Sequence, residues 1–452
     1  MAEESDVADS PLRVLIVRGS FNTLGGAERE LLQLLRHASN RWQVSLATLQ
    51  FPQQAKELLG DCDIEIIQPK KSFSWPQGAI TEITAGQSSA ATRQWKNMKI
   101  DWSQYDAVHF SVCRGTLEIL NSVSDNTLTG KGLHYHCLEP PRWLYEDVLH
   151  RHLDGKLKRS MWLTNMIFAK QRRVDQKLVR RLTAMKGSAI SGNSMWIQKQ
   201  LREIYDLACD ENKSNGSAPR RNSKGQLLEA THLMHVLDWD LWPQLADSDE
   251  KDAVDEIQQA LIRAEKNLSK ADKLPDQYVV TIGKLSFVKG AWETVQSLQG
   301  TGLSLLQIGG GETGDKEKIL AHGSSLGVDV YCMPRLSQSA LRAVIRGSVA
   351  MVSHAHGEPF GLTPLEAMAI GIPALMVDEG GFHYTMKNAD CGMLISREDY
   401  ELWGEAYRLS QDEDTRKSWA KTGRKYVENN FTIDVQMNAL ENLLLECIKS
   451  AQ

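Results

Sequence analysis

Short apolar runs recur along the first half of the chain, separated by polar or amphipathic stretches. The first run, 13–17, precedes a glycine-rich turn and then Leu31, Leu34 and Leu35, which have the spacing of a helix that buries one face. Strand runs without polar alternation are typical of a parallel sheet covered by helices. The pattern predicts strands at 13–17, 43–49, 64–67 and 107–110.

A second series of the same kind begins near Tyr278, and glycine-rich loops at 283–290 and 309–311 follow its first two strand runs. Two such series predict an α/β protein with two Rossmann-like domains. The predicted strands are 278–282, 303–308, 328–331, 349–353 and 373–377. The predicted segments are a flexible N-terminus at 1–10, a first domain at 11–208, a linker or insertion at 209–275, a second domain at 276–430 and a terminal helix within 431–452.

Composition narrows the class of protein. Of the 452 residues 42% are apolar and 24% charged, as in ordinary soluble proteins, and a formal net charge of -5 does not favour a general nucleic-acid binder. The seven cysteines are scattered without a CxxC pair, which argues against a disulfide scaffold or a zinc site and fits a reducing compartment. The acidic start is unlike a signal peptide, and no apolar run reaches about 18 residues. We therefore expect a cytoplasmic protein.

The stretch HGEPFGLTPLEAMAIGIPA, residues 356–374, carries two carboxylates, Glu358 and Glu366. Thr363, the proline after it and Glu366 have the spacing of a capping box, so Glu366 has a purely structural role available. The loop 357–362 follows a predicted strand, and ligands of open parallel sheets bind at such strand-to-helix loops. The N–H groups at a helix start favour an anionic group such as phosphate. Both interpretations, helix start and active site, fit these residues taken alone.

Several segments together resemble the family 4 glycosyltransferases, also called glycosyltransferase group 1. They follow the family's order and are GGAE at 25–28, SGNS at 191–194, IGKLSFVKG at 282–290, LQIGGG at 306–311, EPFGLTPLEAMA at 358–369, GIP at 371–373 and GG at 380–381. Members are retaining enzymes that use nucleotide-diphosphate sugars. The resemblance implies the GT-B fold, with two Rossmann-like domains, a cleft between them and a C-terminal helix that returns to the first domain.

The resemblance also assigns roles to residues. It implies that Glu358 contacts hydroxyl groups of the donor sugar, that Glu366 holds the ribose and that Lys289 neutralises the diphosphate. The resemblance implies that Lys284 also neutralises the diphosphate, at a position where the family usually has Arg. The lysine keeps the positive charge but cannot make the bidentate hydrogen bonds of a guanidinium. For both lysines the alternative is solvated surface charge. Tyr384 stands where the family often has Glu. The other implied donor-site residues are Gly25, Gly26, Gly283, Gly309, Gly310, Phe360, Gly361, Leu362 and Thr363.

A second candidate site is the segment HYHCLEPPR, residues 134–142. Its two histidines share a face if the segment is a strand, but no further metal ligand is evident nearby, so a zinc site is not expected. The segment resembles an element of mannosyltransferase-like members. It implies that His136, or else His134, contacts the donor sugar, and that Glu139 and Arg142 contact the acceptor or a phosphate. The alternatives are a hydrogen-bonded, half-buried histidine and an arginine paired with an acid.

The function implied by the resemblance is retaining, metal-independent transfer of a hexose from GDP-mannose or a UDP-sugar. The acceptor would be a glycan, a lipid-linked or a small molecule, with no cofactor beyond the nucleotide sugar and no nucleic-acid partner. The choice of GDP-mannose as the donor rests on the Glu139–Arg142 element alone. Two alternatives stay open: a catalytically silent GT-B partner subunit, and another nucleotide-dependent Rossmann enzyme, although the dinucleotide motif G-x-G-x-x-G is missing.

The segment 150–186 is basic, with eleven Lys and Arg against two Asp. One interpretation is a solvated helical face. The other is docking on anionic lipid at the cytoplasmic side of a membrane, with Trp162 and Phe168 at the interface.

Overall fold

The computed structural model describes residues 11–21, 24–207, 220–264 and 273–452, and these residues form two compact units. The first unit contains the described residues up to Pro140 together with Asn165–Met234 and Ile433–Gln452. The second unit contains the described residues of Pro141–Thr164 and His235–Thr432. Each unit is built around its own parallel sheet.

The sheet of the first unit has seven strands. They are β1 (Arg13–Arg18), β2 (Gln43–Thr48), β3 (Glu65–Ile67), β4 (Ala107–Ser111), β5 (Gly132–Cys137), β6 (Ser188–Gly192) and β7 (Thr231–His232). Their order is β3-β2-β1-β4-β5-β6-β7, and every pairing is parallel. Residues Val14 to Val17 are fully buried because both faces of β1 are covered, which explains the run without polar alternation.

The C-terminal helix, Ile433–Ala451, belongs to the first unit. Its buried residues Met437, Leu440 and Leu444 share a core cluster with Val14 and other residues of the first strands. The helices of this unit are Gly26–Ala38, Gln53–Leu59, Ala79–Thr84, Gly86–Lys96, Asp125–Leu128, most of Met161–Thr183, Met195–Tyr205 and Ile433–Ala451, with 3₁₀ turns at Trp102–Gln104 and Leu117–Ser122.

The sheet of the second unit has six strands. They are β8 (Tyr278–Ile282), β9 (Ser304–Ile308), β10 (Val330–Met333), β11 (Ala350–Ser353), β12 (Ala374–Val377) and β13 (Gly392–Ile395). The order is β10-β9-β8-β11-β12-β13, again parallel throughout. The strand order therefore reverses between β8 and β11. The loops that follow these two neighbours meet at the carboxyl edge of the sheet, where open α/β sheets bind ligands.

Helices and turns flank this second sheet. The helices are Arg142–Tyr145, Ser248–Asp252, Val254–Ala264, Ala291–Ser297, Thr313–Leu326, Gln338–Arg346, Leu362–Ala369, Gly380–Met386, Tyr400–Gln411 and Glu413–Asn430. Turns of 3₁₀ helix lie at Val148–His150, Trp239–Leu241 and Phe287–Lys289. Two Rossmann-like domains with parallel sheets are what the sequence predicts, and the structure confirms them.

The units do not divide where the sequence predicts. Pro141–Thr164 falls in the predicted first domain, yet it belongs to the second unit, where the Arg142 guanidinium donates to the His356 carbonyl. The predicted linker at 209–275 contains β7 and two helices, and buried Glu250 ties the first of these helices to Arg342. The predicted flexible start at 1–10 and the linker stretches 208–219 and 265–272 lie outside the described residues.

Candidate functional site

The helix Leu362–Ala369 begins directly after the loop that follows β11. Its N-cap is Gly361, with φ 94° and ψ 73°, and no side chain caps it. A Cβ at Gly361 would lie 2.5 Å from the Phe382 ring, so the position needs glycine both for its backbone and for space. The predicted capping box with Thr363 as N-cap is therefore wrong, because the glycine turn starts the helix before Thr363.

An ion pair joins the two loops at the carboxyl edge of β8 and β11. The Lys289 ammonium lies 2.8 Å from Oε2 of Glu358, and the two side chains are only 34% and 20% exposed. Burial alone would raise the pKa of the Glu358 carboxyl, but the charges of Lys289 and Arg142 outweigh it and the pKa falls below its ordinary value. The structure thus brings together the two residues predicted to contact sugar and diphosphate.

Lys289 ends a 3₁₀ turn that packs on the loop after β11. The next residue, Gly290, has φ 63°, and a Cβ there would overlap the carbonyl group of His354. The N–H of His356 donates to the Val288 carbonyl at 2.8 Å. The lysine-bearing turn and the glutamate-bearing loop are consequently in backbone contact, and this contact fixes the separation of the ion pair.

Arg142 holds the same loop from another side. Its side chain is buried, its Nη2 donates to the His356 carbonyl at 2.6 Å, and its Nε donates to Glu146 at 2.9 Å. The role predicted for Arg142 is a contact with acceptor or phosphate. In the structure its donors serve the loop and a carboxylate, which is the alternative left open from the sequence. Glu139 is an exposed residue of the first unit.

Three residues beside the ion pair, His356, Phe287 and Glu293, were not predicted as site residues. His356 stacks on the Phe287 ring with centroids 4.0 Å apart, and its Nε2 lies 2.9 Å from Oε1 of Glu293. Both partners lie on or just after the lysine-bearing turn. His356 is the first residue of the quoted motif, so its position beside Glu358 was the available signal.

The remaining donor-site candidates in the second unit are spread over three loops. Gly283 donates its N–H to the Ile308 carbonyl at 2.8 Å, and the Gly310 carbonyl accepts from Leu285, so the loops after β8 and β9 are paired. The Lys284 ammonium lies 3.5 Å from Glu312, with both side chains mostly exposed. This pair faces solvent, as the surface-charge alternative for Lys284 states.

Phe360 does not present its side chain at a surface. It is buried, its ring stacks on His235 with centroids 5.5 Å apart, and its carbonyl accepts from the Thr385 hydroxyl at 2.6 Å. The ring of Phe360 therefore belongs to the core, and the predicted donor contact of this residue stays a prediction. Leu362, Thr363 and Glu366 are partly exposed along the first turns of the helix.

In the first unit, the glycine pair begins a helix. Gly25 is the N-cap of Gly26–Ala38, and its N–H donates to Oε2 of Glu28 at 3.0 Å. The other oxygen of Glu28 pairs with the buried Arg18 guanidinium. Glu28 thereby completes the helix start and compensates a buried charge, which gives the GGAE segment a structural reason for its residue types.

His134 and His136 lie on β5, and both contact the hydroxyl of Ser191, at 2.7 Å from Nε2 of His134 and 2.9 Å from Nδ1 of His136. Both rings are buried. Burial, reinforced by the neighbouring histidines, holds the pKa of His134 well below its ordinary value. Within the described residues, no group of three or more His, Cys, Asp or Glu side chains is arranged to hold a metal ion.

The basic segment forms the helix Met161–Thr183 and the turns before it. Trp162 is 73% exposed, whereas Phe168 is only 5% exposed. The predicted interfacial position of Phe168 is wrong, because this ring faces the helix side that packs inward. In the part of the chain that the structure describes, no helix combines the length and apolarity needed to cross a membrane.

Comparison with known proteins agrees with the geometry of the second unit. Residues 263–426 match the family model described as "Glycosyl transferases group 1". The chain carries a glycosyltransferase group 1 domain. This group 1 domain contains Lys289, Glu358 and the helix that begins at Gly361.

Among curated proteins, the alpha-1,3/1,6-mannosyltransferase ALG2 of Rhizomucor pusillus is 31% identical over 90 residues, which is 20% of this chain and 20% of that protein. The capsular polysaccharide biosynthesis glycosyltransferase CapM of Staphylococcus aureus is 26% identical over 190 residues, 40% of this chain and 49% of that protein. The matched stretches thus span half or less of these relatives.

Solved structures match the group 1 domain together with the rest of the chain. Anabaena HepE in complex with UDP and glucose is similar with a TM-score of 0.60 at 15% identity, over 96% of this chain and 99% of that one. Sucrose-phosphate synthase from Thermosynechococcus elongatus has a TM-score of 0.62 at 14% identity, over 96% and 98%. These similarities show the GT-B fold that the resemblance implies.

Proposed function

We propose that this chain transfers a hexose from a nucleotide-diphosphate sugar, GDP-mannose or a UDP-sugar, to a glycan, lipid-linked or small-molecule acceptor, with retention at the anomeric carbon. The group 1 domain supports transfer of a sugar. The names of relatives such as the ALG2 mannosyltransferase support a hexose, and the neighbour with UDP and glucose supports a nucleotide donor.

The observation that carries the proposal is the Lys289–Glu358 pair at the point where the strand order reverses. A nucleotide sugar offers a diphosphate, which needs cations, and a sugar, whose hydroxyls need acceptors. Lys289 supplies the cation and Glu358 supplies the acceptor, with the Lys289 ammonium 2.8 Å from Oε2 of Glu358. The lowered pKa of Glu358 keeps it a carboxylate near neutral pH, so it accepts hydrogen bonds from sugar hydroxyls.

In this proposal the nucleotide lies along the start of the helix Leu362–Ala369. Backbone N–H groups of a first helical turn lack partners within the helix and favour phosphate oxygens. Glu366, one turn further and partly exposed, would accept from the ribose hydroxyls. Lys284 is exposed beside Glu312 and would reach the diphosphate only by leaving that carboxylate.

Charge development explains how the site would act. As the bond between the sugar and the diphosphate breaks, negative charge grows on the leaving phosphate oxygen, and Lys289 with the helix N–H groups stabilises it. The acceptor hydroxyl oxygen bonds to the anomeric carbon, and its proton passes to the leaving phosphate oxygen. These groups carry the phosphate charge without a metal ion, which makes EDTA a direct test: chelation should leave turnover unchanged.

The decisive experiment is a thermal-shift panel with GDP-mannose, UDP-glucose and NAD, combined with a hydrolysis and transfer assay. Glu358→Ala and Lys289→Ala should each remove the shift given by the nucleotide sugar. Lys318→Ala is the matched control, because Lys318 pairs with Asp315 on an exposed helix of the same domain. If both site variants bind and turn over the donor like the wild type, the site assignment is wrong.

The same panel separates the alternatives. A shift with NAD alone would favour another nucleotide-dependent enzyme. A shift with a nucleotide sugar that is neither hydrolysed nor transferred to any acceptor would favour a silent partner subunit.

A further inference from the structure

Four polar residues lie on one face of the sheet in the first unit. His109 is on β4, His134 and His136 are on β5, and Ser191 is on β6. The register places His109 opposite His134 and His136 opposite Ser191. All four side chains are buried, so they exchange hydrogen bonds with one another rather than with bulk water.

The four residues form one continuous chain of contacts. Nδ1 of His109 lies 3.0 Å from Nδ1 of His134. Nε2 of His134 lies 2.7 Å from the Ser191 hydroxyl, which lies 2.9 Å from Nδ1 of His136. Each of these three contacts holds one proton, because a hydrogen bond needs one donor and one acceptor.

The rings of His109 and His134 are neutral near pH 7. Burial lowers the pKa of His109 to about 4 and holds that of His134 well below its ordinary value. A neutral ring has one N–H and one bare nitrogen. His134, which has a contact on each nitrogen, must therefore donate on one side and accept on the other.

This requirement leaves two consistent directions for the three hydrogen bonds. In one, His109 donates from Nδ1, His134 donates from Nε2 to Ser191, and Ser191 donates to Nδ1 of His136, whose proton is then on Nε2. In the other, every bond is reversed and His136 carries its proton on Nδ1. In the remaining pattern both His134 and His136 would donate to the Ser191 oxygen. The buried Ser191 hydroxyl proton would then need another acceptor, and within the described residues none is found.

We propose that Ser191, backed by the His109–His134 pair, is a positioning residue that holds His136 in the form with its proton on Nε2. This direction leaves two of the three rings protonated on Nε2, the form that neutral imidazole prefers in water. The consequence for the reaction rests on the proposed function: an Nε2–H is a donor, so His136 would hydrogen-bond an oxygen of the donor sugar rather than remove a proton from it.

Proton positions can be measured directly by NMR. In the full chain labelled with ¹⁵N-histidine, long-range ¹H–¹⁵N correlations at pH 7 report which nitrogen of each ring is protonated, and replacing each histidine in turn assigns the signals. The expected pattern is Nδ1–H for His109 and Nε2–H for both His134 and His136. A proton on Nδ1 of His136, or a doubly protonated His136, overturns the proposal.

Variants of Ser191 test the positioning role. Ser191→Ala should shift the ring nitrogens of His136 toward a mixture of both forms, whereas Ser191→Thr keeps a hydroxyl and should keep the wild-type pattern. His354, a buried histidine of the second unit whose Nδ1 lies 3.2 Å from Thr294, is the internal reference and should not move. Unchanged His136 signals in Ser191→Ala refute the role of the hydroxyl.

Activity gives an independent readout. Ser191→Ala should lower kcat/KM roughly tenfold, the effect of about one hydrogen bond, and Ser191→Thr should restore most of it. The NMR pattern needs neither donor nor acceptor, so it stands or fails separately from glycosyl transfer. If Ser191→Ala does not fold, the spectrum of the wild-type chain still decides the direction of the hydrogen bonds among His109, His134, Ser191 and His136.

Discussion

Replacing Gly361 by alanine tests whether this glycine determines where the site helix begins. A left-handed backbone costs an ordinary residue about 1–2 kcal/mol. The new Cβ would also lie 2.5 Å from the ring of Phe382, which is 1% exposed and cannot move aside. Overpacking of this kind costs about 1–3 kcal/mol. We therefore expect Gly361→Ala to lower the free energy of unfolding by roughly 2–5 kcal/mol.

Two glycines of the same domain separate these contributions. Gly310 has φ 72° but open space at its Cβ position, so Gly310→Ala should cost only the backbone part, about 1–2 kcal/mol. Gly314 lies in the helix Thr313–Leu326 with open space and an ordinary backbone, so Gly314→Ala should stabilise by about 0.5–1 kcal/mol.

Urea unfolding at equilibrium and thermal scans measure these differences. For a unit of this size, 1 kcal/mol corresponds to about 2–4 °C in Tm, so Gly361→Ala should lower Tm by roughly 4–20 °C. If Gly361→Ala is no more destabilising than Gly310→Ala, the Phe382 contact does not constrain the helix start and our reasoning about the site geometry fails.

Three further predictions concern charge and surface. Arg142→Met removes the hydrogen bonds to the partly buried His356 carbonyl and to the Glu146 carboxylate. It should therefore lower the free energy of unfolding by roughly 1–3 kcal/mol and weaken donor binding in the thermal-shift panel, whereas Lys417→Met, at an exposed pair, should lower it by less than about 1 kcal/mol. Because the pKa of Glu358 is lowered in the folded protein, its ionised carboxylate stabilises the fold fully above the ordinary pKa of 4.5, and this stabilisation is lost as the pH falls through the folded-state pKa. The free energy of unfolding of Glu358→Gln should therefore depend less on pH below 4.5 than that of the wild type. An unchanged acid dependence would contradict the ion pair. If the basic segment docks on lipid, Trp162→Ala should reduce flotation with phosphatidylserine vesicles, whereas Leu245→Ala, at a similarly exposed side chain, should not. Equal flotation of both variants would favour a solvated face.

The positions of buried strands were predictable because burial on both faces leaves an uninterrupted apolar run. Nine predicted runs correspond to strands, β10 with a shift of two residues, at 330–333 instead of 328–331. The strand Ser188–Gly192 was not predicted because it contains two serines and a glycine. One of these serines, Ser191, hydrogen-bonds the buried histidines instead of making apolar contacts. Periodicity reports burial by apolar contact, so a strand buried through hydrogen bonds gives no such signal.

Contacts between distant parts of the chain were not predictable from pattern. Arg142 and His356 are 214 positions apart, and only the fold shows that one holds the carbonyl of the other. The start of the site helix was misplaced for a related reason: Thr363 has the composition of a cap, but the ring of Phe382 and the backbone of Gly361 decide the geometry. The partners Lys289 and Glu358 were found because each lies in a recognisable loop.

The C-terminal helix has a consequence for how the protein is made. Met437, Leu440 and Leu444 complete a core whose other members are translated more than 200 residues earlier. Synthesis runs from the N-terminus, so the first unit cannot bury this surface until Ile433–Ala451 has been synthesised, whereas the second unit is translated in full by Thr432. The later unit in the sequence therefore has the opportunity to mature first, and the nascent N-terminal half is the part that would need a chaperone.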